Sequence, residues 1–277
     1  MKLTRVMTTE APHVLAIVNA KGGVSKTTTA VSLAAGFALR GRRTLLVDLD
    51  QQASASLGLG VARASLEPGA AAVLLEGLPL RRAIRATSCA GLDLVTGELD
   101  LANADVALAG ADDRATRLRR ALEPVRGDYA HVVLDCPPSL GLLTVNALLA
   151  ADWFLVPVVP EYLVLEGVAG LLAAVERIRA AGGETAELLG FVLTRTNRTR
   201  AAGEVADILR AHYGRAVLKA EIPANVRVAE APSFGLTIYD HAPGSTGADA
   251  YSRLTTEVLR RFNQDGSTSQ RKGGKTA

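Results

Sequence analysis

The chain is poor in cysteine and in aromatic residues. Its two cysteines among 277 residues, Cys89 and Cys136, show no paired spacing. This excludes a disulfide scaffold and suits a reducing compartment. Aromatic residues make up 4% of the sequence, against 48% hydrophobic residues in all. A core must therefore be built mainly from Ala, Leu and Val.

Membrane and export signals are also missing. No uninterrupted apolar run approaches the length of a membrane span. No N-terminal segment shows the order of charge, apolar core and small-residue cleavage site that is typical of a signal peptide. We therefore expect a soluble, cytosolic protein. The four histidines show no metal-ligand spacing; they are His13, His131, His212 and His241.

The formal net charge of +3 is too small to indicate a nucleic-acid partner by itself. The charge is unevenly distributed, however. Residues 191–277 carry 13 Lys and Arg against 8 Asp and Glu, whereas residues 1–190 carry 18 against 20. The C-terminal third is therefore the region in which a polyanion contact would be expected.

Apolar strands alternate with helical segments along nearly the whole sequence. This pattern predicts a single-domain α/β protein with a mostly parallel, twisted sheet and helices on both faces. The predicted strands are Val14–Val18, Thr44–Asp48, Leu92–Val95, His131–Asp135, Trp153–Val159, Leu189–Thr194 and Ala216–Lys219. The main predicted helices are Thr27–Arg40, Ala70–Glu76, Leu142–Leu149, Leu165–Ala181, Ala201–Tyr213 and Ala248–Phe262. Trp153 is expected in the core, and Pro157 predicts that its strand lies at an edge of the sheet or ends its pairing there.

The predicted domain spans residues 14–262. Residues 1–13 are expected to form a short N-terminal arm, and residues 222–247 a loop before the last helix. Residues 263–277 are polar, low in complexity and net basic, which predicts a disordered tail.

A phosphate-binding loop is the most informative motif. The stretch Lys21–Thr28 follows a predicted strand and opens a predicted helix, the context in which backbone N–H groups and the helix dipole bind an anion. The order Lys-Gly-Gly-x-x-Lys-Thr differs from the usual loop, because Ala20 and Ser25 occupy its two glycine positions. The residues expected to bind nucleotide here are Lys21, Gly22, Gly23, Val24, Ser25, Lys26, Thr27 and Thr28.

Three aspartates lie at the carboxyl ends of predicted strands, where doubly wound folds bind their ligands. Asp48 and Asp50 follow the second strand, and Asp135 ends the strand His131–Asp135. Carboxylates beside a triphosphate hold magnesium-bound water or orient an attacking water. Asp50 and Asp135 are expected to hold Mg²⁺, Asp135 through water, and Asp48 is a further candidate.

These motifs resemble those of the ParA/Soj family of chromosome- and plasmid-partitioning ATPases. The resemblance runs from about Val14 to Phe262. It rests on Lys21–Thr29, Leu45–Leu57, Val132–Asn146, Glu161–Gly167 and Ile222–Gly235. It implies a P-loop fold with a deviant Walker A motif, Mg²⁺ as cofactor and ATP as substrate.

The resemblance also implies individual roles. Lys26 and Thr27 bind phosphate and Mg²⁺, Thr27 directly, and Lys21 reaches the partner's ATP across a dimer. Asp50 supports the hydrolytic water. Lys21, Lys26 and Asp50 are thus the implied catalytic residues. Pro223 and Asn225 border the nucleotide base in relatives, and Gly22 must stay small where the partner's backbone approaches.

The chain also departs from the family pattern. Gln51 stands where a proline usually follows the catalytic aspartate, and Ala224 stands where many relatives carry an arginine linked to DNA binding. Other basic residues of the C-terminal third are candidates for that contact, or for an ordinary solvated loop: Arg195, Arg198, Arg200, Lys219 and Arg227.

The resemblance implies a cycle of ATP binding, dimerisation and hydrolysis. The ATP-bound homodimer would bind double-stranded DNA without sequence preference on the nucleoid, and a ParB-like partner would stimulate a slow intrinsic ATPase. Two alternatives stay open. One is a ParA-like ATPase that positions a cargo other than DNA. The other is a membrane-cycling ATPase resembling MinD, although the segment from Asn263 has no large apolar residue with which to bind a membrane.

Overall fold

The computed structural model describes residues 12–161, 164–197 and 199–272. Within these residues, eight strands form one sheet in the order β3-β4-β2-β5-β1-β6-β7-β8. All neighbours are parallel except β3 and β4, so the prediction of a mostly parallel α/β fold is confirmed. The strands are β1 (His13–Ile17), β2 (Thr44–Asp48), β3 (Ile84–Ala86), β4 (Leu92–Val95), β5 (His131–Asp135), β6 (Trp153–Val158), β7 (Glu187–Thr196) and β8 (Ile222–Pro223).

Helices connect the strands, and shorter 3-10 turns lie between them. The helices are α1 (Lys26–Ala38), α2 (Ser54–Gly58), α3 (Ala70–Glu76), α4 (Ala104–Ala107), α5 (Arg117–Leu122), α6 (Leu142–Ala150), α7 (Val164–Ala180), α8 (Arg200–Tyr213), α9 (Val226–Glu230), α10 (Ile238–His241) and α11 (Thr246–Lys272). None of the helices in the described residues is both long and apolar enough to span a bilayer.

The sheet separates two apolar cores. Along β1 the side chains alternate, so Val14 and Ala16 belong to one core and Leu15 and Ile17 to the other. The first core lies under α3, α5, α6, α7 and α8, and the second lies under α1, α10 and α11. A strand that is buried on both faces has to be apolar at every position, which explains the continuous apolar runs of β1, β2 and β5.

Of the two expectations for the strand with Pro157, the edge position is wrong, whereas an end of pairing near the proline is found on one side of the strand. β6 lies inside the sheet, between β1 and β7. Its pairing with β1 ends at Leu155, whereas the pairing with β7 continues through Pro157 to Val158. Proline lacks only the N–H, and at this position one side of the strand no longer has a partner strand. An internal strand therefore accommodates the proline.

Several boundaries differ from the sequence-based expectation. The predicted strand Ala216–Lys219 is only an isolated bridge between Val217 and Phe191, and the last strand is β8 instead. The expected loop 222–247 contains β8, α9 and α10. His13 belongs to β1 and not to an arm, while residues 1–11 lie outside the described residues.

The C-terminal boundary also differs. The last helix, α11, continues past Phe262 to Lys272, so the expected end of helix at Phe262 is too early. Residues 273–277 of the predicted tail lie outside the described residues. Trp153 packs against the second core and is partly buried.

Helix α1 anchors the phosphate loop to the second core. The Phe37 side chain is fully buried and lies 4.6 Å from the His131 ring and 6.2 Å from the Phe262 ring, measured between ring centroids. Leu39, just beyond the end of α1, is 54% exposed. We expect Phe37→Ala to lower the free energy of unfolding by about 3–5 kcal/mol, since it removes a buried ring and leaves a cavity. Urea denaturation measures this loss.

The matched control is Leu39→Ala, which should change stability by less than about 0.5 kcal/mol. Equal losses in the two variants would contradict this packing of α1.

Candidate active site

The segment between β1 and α1 has the conformation that an anion-binding loop requires. Gly23 and Ser25 have φ values of 74° and 65°, and α1 begins at Lys26, directly after Ser25. Glycine takes the left-handed conformation freely, whereas Ser25 does so at a cost on the order of 1 kcal/mol. The first turn of a helix leaves N–H groups without intrahelical partners, so this end of α1 is suited to bind phosphate.

Lys26 closes the loop on itself. Its Nζ donates a hydrogen bond to the Lys21 carbonyl at 2.9 Å, and 7% of the residue is exposed. Burial lowers the pKa of Lys26, while the negative charges of Asp135 and Asp50 oppose that shift. Within the described residues, the hydrogen-bond partner of this ammonium is one carbonyl oxygen, which leaves donors for an anion.

Lys21 points away from that interior. It forms an ion pair with Glu161, which follows β6, and both side chains are about half exposed. The hydrogen bond from Lys21 lowers the pKa of Glu161, and the charges of Lys21 and Arg195 act in the same direction. The lysine at the start of the loop is therefore engaged within its own chain.

Asp48 and Asp135 are register partners at the ends of neighbouring strands β2 and β5, and both are fully buried. The Asp48 carboxylate accepts hydrogen bonds from the Ser56 backbone N at 3.0 Å, the Ser56 Oγ at 2.7 Å and the Asp50 backbone N at 3.1 Å. Burial raises the pKa of Asp48, and these donors oppose the shift. Because both of its oxygens are engaged, Asp48 is better placed to hold α2 than to bind a metal.

Asp135 is in the opposite situation. Neither of its carboxylate oxygens has a hydrogen-bond partner among the described residues. Burial raises the pKa of Asp135 well above its ordinary value, and the charge of Asp48 raises it further. The Thr27 hydroxyl and Lys26 act in the opposite direction. A buried carboxylate is costly unless it is paired, and Thr27 and Lys26 offset only part of that cost, so a bound cation would stabilise its charge further.

Asp50 lies at the mouth of the site and is 9% exposed. Its Oδ1 accepts a hydrogen bond from the Gln52 backbone N at 3.0 Å. Gly97 packs against this turn: a Cβ added there would lie 2.5 Å from the Asp50 carbonyl oxygen and 2.8 Å from the Asp48 carboxyl carbon. The acidic turn therefore requires glycine at position 97.

These residues fit Mg²⁺ bound together with phosphate. No group of three or more His, Cys, Asp and Glu side chains is arranged to hold a metal in the part of the chain that the structure describes. Mg²⁺ is usually bound by one or two carboxylates, with water and substrate phosphates completing its shell. The unpaired oxygens of Asp135, beside Thr27, meet that requirement.

The remaining predicted residues of the loop lie around the same end of the sheet. Val24 is buried, and Thr27 and Thr28 are partly buried. A Cβ added at Gly22 would meet no atom of this chain within 4 Å. No contact within the described part of the subunit therefore requires Gly22 to be small.

Pro223 and Asn225 lie at the carboxyl end of β8, on the same edge of the sheet. Asn225 begins α9, where its Oδ1 accepts a hydrogen bond from the Val228 backbone N at 3.2 Å. Its Nδ2 donates to the Thr246 Oγ1 at 2.8 Å. Asn225 thus joins α9 to the start of α11, and its predicted contact with the nucleotide base stays a prediction.

The candidate DNA-binding residues do not form one cluster. Arg195 lies on the phosphate loop, with its Nη1 3.2 Å from the Gly23 carbonyl oxygen. Arg200 and Arg227 are exposed at the starts of α8 and α9, and each is paired with a glutamate of its own helix. Lys219 lies before β8, where Glu257 binds its backbone N. Arg198 lies outside the described residues.

Lys219 borders a basic groove that the sequence did not indicate. The groove has a volume of about 870 Å³ and lies between the segment before β8 and the helix α11. Its basic lining residues are Arg210, Arg215, Lys219, Arg260 and Arg261. Arg210 and Arg261 are engaged with Glu221 and Glu257, respectively.

Sequence reasoning missed four residues that shape the site: Ser56, Gly97, Glu161 and Thr194. Glu161 and Ser56 lie in stretches that carry the family resemblance, but no spacing rule pointed to their contacts. Gly97 and Thr194 gave no signal at all, because they act through contacts distant in sequence. Thr194 Oγ1 donates a hydrogen bond to the Val24 carbonyl at 3.1 Å, across 170 positions.

The two cysteines and His131 are buried groups whose pKa values are shifted. Burial raises the pKa of the Cys136 thiol well above its ordinary range, and the charge of Asp135 adds to the shift. Cys89 is also buried, and both cysteines are free. Burial lowers the pKa of His131 to about 3, so this residue behaves as a neutral ring of the core.

Comparisons with known proteins find relatives along most of this chain. Residues 12–187 match a family model described as an AAA domain. Chromosome-partitioning ATPase Soj of Thermus thermophilus is 50% identical over 251 residues, which cover 90% of this chain and 96% of that protein. Chromosome partitioning protein ParA of Caulobacter vibrioides is 43% identical over 252 residues, covering 90% and 94%.

Among solved structures, one from Mycobacterium smegmatis superimposes with a TM-score of 0.81 at 34% identity, covering 91% of this chain and 95% of that one. It is described as cobyrinic acid a,c-diamide synthase with a bound ATP analogue and magnesium.

The buried environment of Asp135 lowers the stability of the folded protein by an amount that can be measured. Its raised pKa means that the folded protein binds this proton more tightly than the unfolded chain, so stability falls as the pH rises from the ordinary value of 3.8. Asp135→Asn removes the ionisation. We expect it to raise the free energy of unfolding of the nucleotide-free protein, and to raise it more at pH 8 than at pH 5, because the variant lacks this pH-dependent loss of stability.

Denaturation at pH 5 and at pH 8 checks this, with the exposed Asp112→Asn as the control that should change nothing. A destabilised Asp135→Asn protein at pH 8 would contradict the assignment of the buried charge.

Proposed function

Because this chain belongs to the ParA/Soj family of partitioning ATPases, we propose that it is an ATPase whose ATP-bound dimer binds DNA without sequence preference. A ParB-like protein would stimulate hydrolysis and release. The strongest support is the meeting of three features at one edge of the sheet: the phosphate loop, the buried Lys26 and the unpaired carboxylate of Asp135. Substrate and products are then ATP, ADP and phosphate.

Each residue of the site has a physical task in this proposal. The loop backbone and the first turn of α1 bind the phosphates, and Lys26 exchanges its contact with the Lys21 carbonyl for the outer phosphates. Thr27 and Asp135 would hold Mg²⁺, which neutralises phosphate charge. Asp50 lies at the mouth of the site and orients the attacking water. Slow intrinsic turnover fits a loop whose neighbouring arginine, Arg195, is engaged with the Gly23 carbonyl.

Two features of a single subunit, at Gly22 and at Lys21, support dimerisation. Gly22 faces open space within its own chain, and Lys21 is held by the exposed Glu161 and not by the loop. In the proposed dimer, Lys21 leaves Glu161 for the partner's nucleotide. The ion pair then opposes association until ATP supplies a stronger anion.

The DNA contact rests on the charge of the C-terminal third. Arg200 is 93% exposed at the start of α8, and Arg215, Lys219 and Arg260 lie around the basic groove. Each subunit offers few such charges, so a dimer that doubles them gains avidity. This would place the protein on the nucleoid. A MinD-like membrane cycle is less well supported, since the end of α11 from Asn263 to Lys272 carries no apolar residue.

Mobility shifts on unrelated DNA duplexes test the proposal. Binding should require ATP and Mg²⁺, ignore sequence, and weaken with salt with a logarithmic slope of roughly −4 to −5, for about four to six neutralised phosphates per dimer. Lys26→Ala should abolish both nucleotide and DNA binding, because it removes the buried charge at the phosphates. Binding by Lys26→Ala, or preference of the wild type for one sequence, would refute the proposed cycle.

The Lys21–Glu161 pair gives a second test. We expect Glu161→Gln to tighten the ATP-dependent dimer by at most about fivefold per subunit, since an exposed ion pair is worth roughly 0.2–1 kcal/mol. The measurement is sedimentation equilibrium in an Asp50→Ala background, in which hydrolysis is blocked.

Glu176→Gln is the control, because Glu176 pairs with Arg179 near the end of α7. A weaker dimer in Glu161→Gln alone would mean that Glu161 belongs to the interface.

A further inference from the structure

The end of β7 contacts the phosphate loop through two consecutive side chains. Thr194 Oγ1 donates a hydrogen bond to the Val24 carbonyl at 3.1 Å, and Arg195 Nη1 donates to the Gly23 carbonyl at 3.2 Å. In a regular strand, neighbouring side chains point to opposite faces. Two neighbours that bind two adjacent carbonyls of the same loop therefore require a break in the strand geometry.

The backbone of Arg195 supplies that break. Its φ is 50°, in the left-handed region that non-glycine residues rarely adopt. The pairing of β7 with β8 is irregular at the same point, between Thr194 and Thr196. Such strained residues persist only where the surrounding structure holds them, and they cluster at functional sites. Here the strained conformation directs the guanidinium group back onto the phosphate loop.

The loop needs this kind of support. It carries Gly22 and Gly23 side by side, and a Cβ at either position would meet nothing within 4 Å. Its other contacts in the described chain involve Lys21, which is bound by Asn19, Lys26 and Glu161, and the Ser25 carbonyl, which accepts from the Thr29 backbone N. The carbonyls of Gly23 and Val24 are thus fixed by β7 alone, and Lys26 is needed elsewhere once phosphate is present.

We infer that Arg195 is a positioning residue of the phosphate loop and not a contact for DNA. It acts with Thr194 to hold the Gly23–Val24 carbonyls outward, so that the loop is preorganised for phosphate before nucleotide arrives. Preorganisation improves affinity because less ordering is left to be done on binding. The inference rests on the proposed ATPase function and adds a determinant of nucleotide affinity to it.

The test separates nucleotide affinity from DNA affinity. Arg195→Ala should weaken binding of both ATP and ADP about five- to twentyfold, at and below the low end for one charge-assisted hydrogen bond, because the bond to Gly23 is exposed. Fluorescent-nucleotide titration measures this. In steady-state hydrolysis, KM should rise while kcat at saturating ATP stays the same, and Arg195→Lys should restore part of the affinity. Thr194→Val, which removes the adjacent hydrogen bond, should have an effect of the same kind.

Arg195→Gly distinguishes positioning from general stability. Glycine adopts a φ of 50° without strain, so this variant should melt no lower than wild type and still lose nucleotide affinity like Arg195→Ala. The matched control is Arg179→Ala, because Arg179 is an exposed arginine near the end of α7 paired with Glu176. It should leave nucleotide affinity unchanged.

The DNA measurement completes the test. At saturating ATP, Arg195→Ala should bind duplex DNA with the wild-type affinity and salt slope. A reduced slope with unchanged nucleotide affinity would overturn the inference and make Arg195 a DNA contact. Unchanged affinity for nucleotide and DNA alike would overturn it as well. Wild type that fails to bind ATP would instead refute the proposed function, so the two failures are distinguishable.

Discussion

Two buried carboxylates side by side are the constraint around which this end of the molecule is arranged. Asp48 and Asp135 are register partners at the ends of β2 and β5, and neither reaches solvent. The two carboxylates repel each other, and the chain provides them with different numbers of hydrogen-bond donors. It gives Asp48 three donors from Ser56 and the Asp50 backbone, and it leaves Asp135 with none among the described residues. Asp48 therefore holds α2 through these hydrogen bonds, whereas Asp135 would bind Mg²⁺ in the proposed function.

Several neighbouring residues contribute to this difference between Asp48 and Asp135. Ser56 binds Asp48 and also accepts a hydrogen bond from the Gly97 backbone N at 3.0 Å, so α2 and the segment after β4 are tied to the same acid. The missing side chain of Gly97 leaves room for the Asp48–Asp50 turn. Lys26 supplies positive charge from the other side. A substitution at any of these positions changes the electrostatics of Asp135 without touching it.

Local patterns were sufficient for the central elements. The bounds predicted for the strands Thr44–Asp48 and His131–Asp135 and the helix Ala70–Glu76 are those observed, because each is a short apolar run with clear breaks. The phosphate loop could also be predicted, because its motif consists of consecutive residues. The edge position expected from Pro157 was wrong, because proline's tolerance depends on where the neighbouring strand stops. No pattern in one strand contains that information.

The site shows the same limit. Lys26 and Asp135 could be identified from the sequence because motif and strand end lie next to them. The contacts of Arg195 could not, since its direction follows from a φ of 50° and from a loop 172 positions away. The residues next to Arg195 in the sequence favoured a contact with DNA at the surface. In the structure, Arg195 instead contacts the phosphate loop. Glu161 was missed for the same reason, at a separation of 140 positions from Lys21.

The strand order has a consequence for how the chain acquires its structure. β1 has no neighbour until β5 and β6 exist, because His13 pairs with His131 and Leu15 with Trp153. During synthesis the loop after β1 is therefore exposed without a sheet to hold it until residues beyond Trp153 have emerged. Sheets with pairings this distant in sequence fold slowly. Until then the nascent N-terminal half exposes the apolar strands β1 and β2. Aggregation is therefore most favoured at this stage of synthesis, and a chaperone would matter most there.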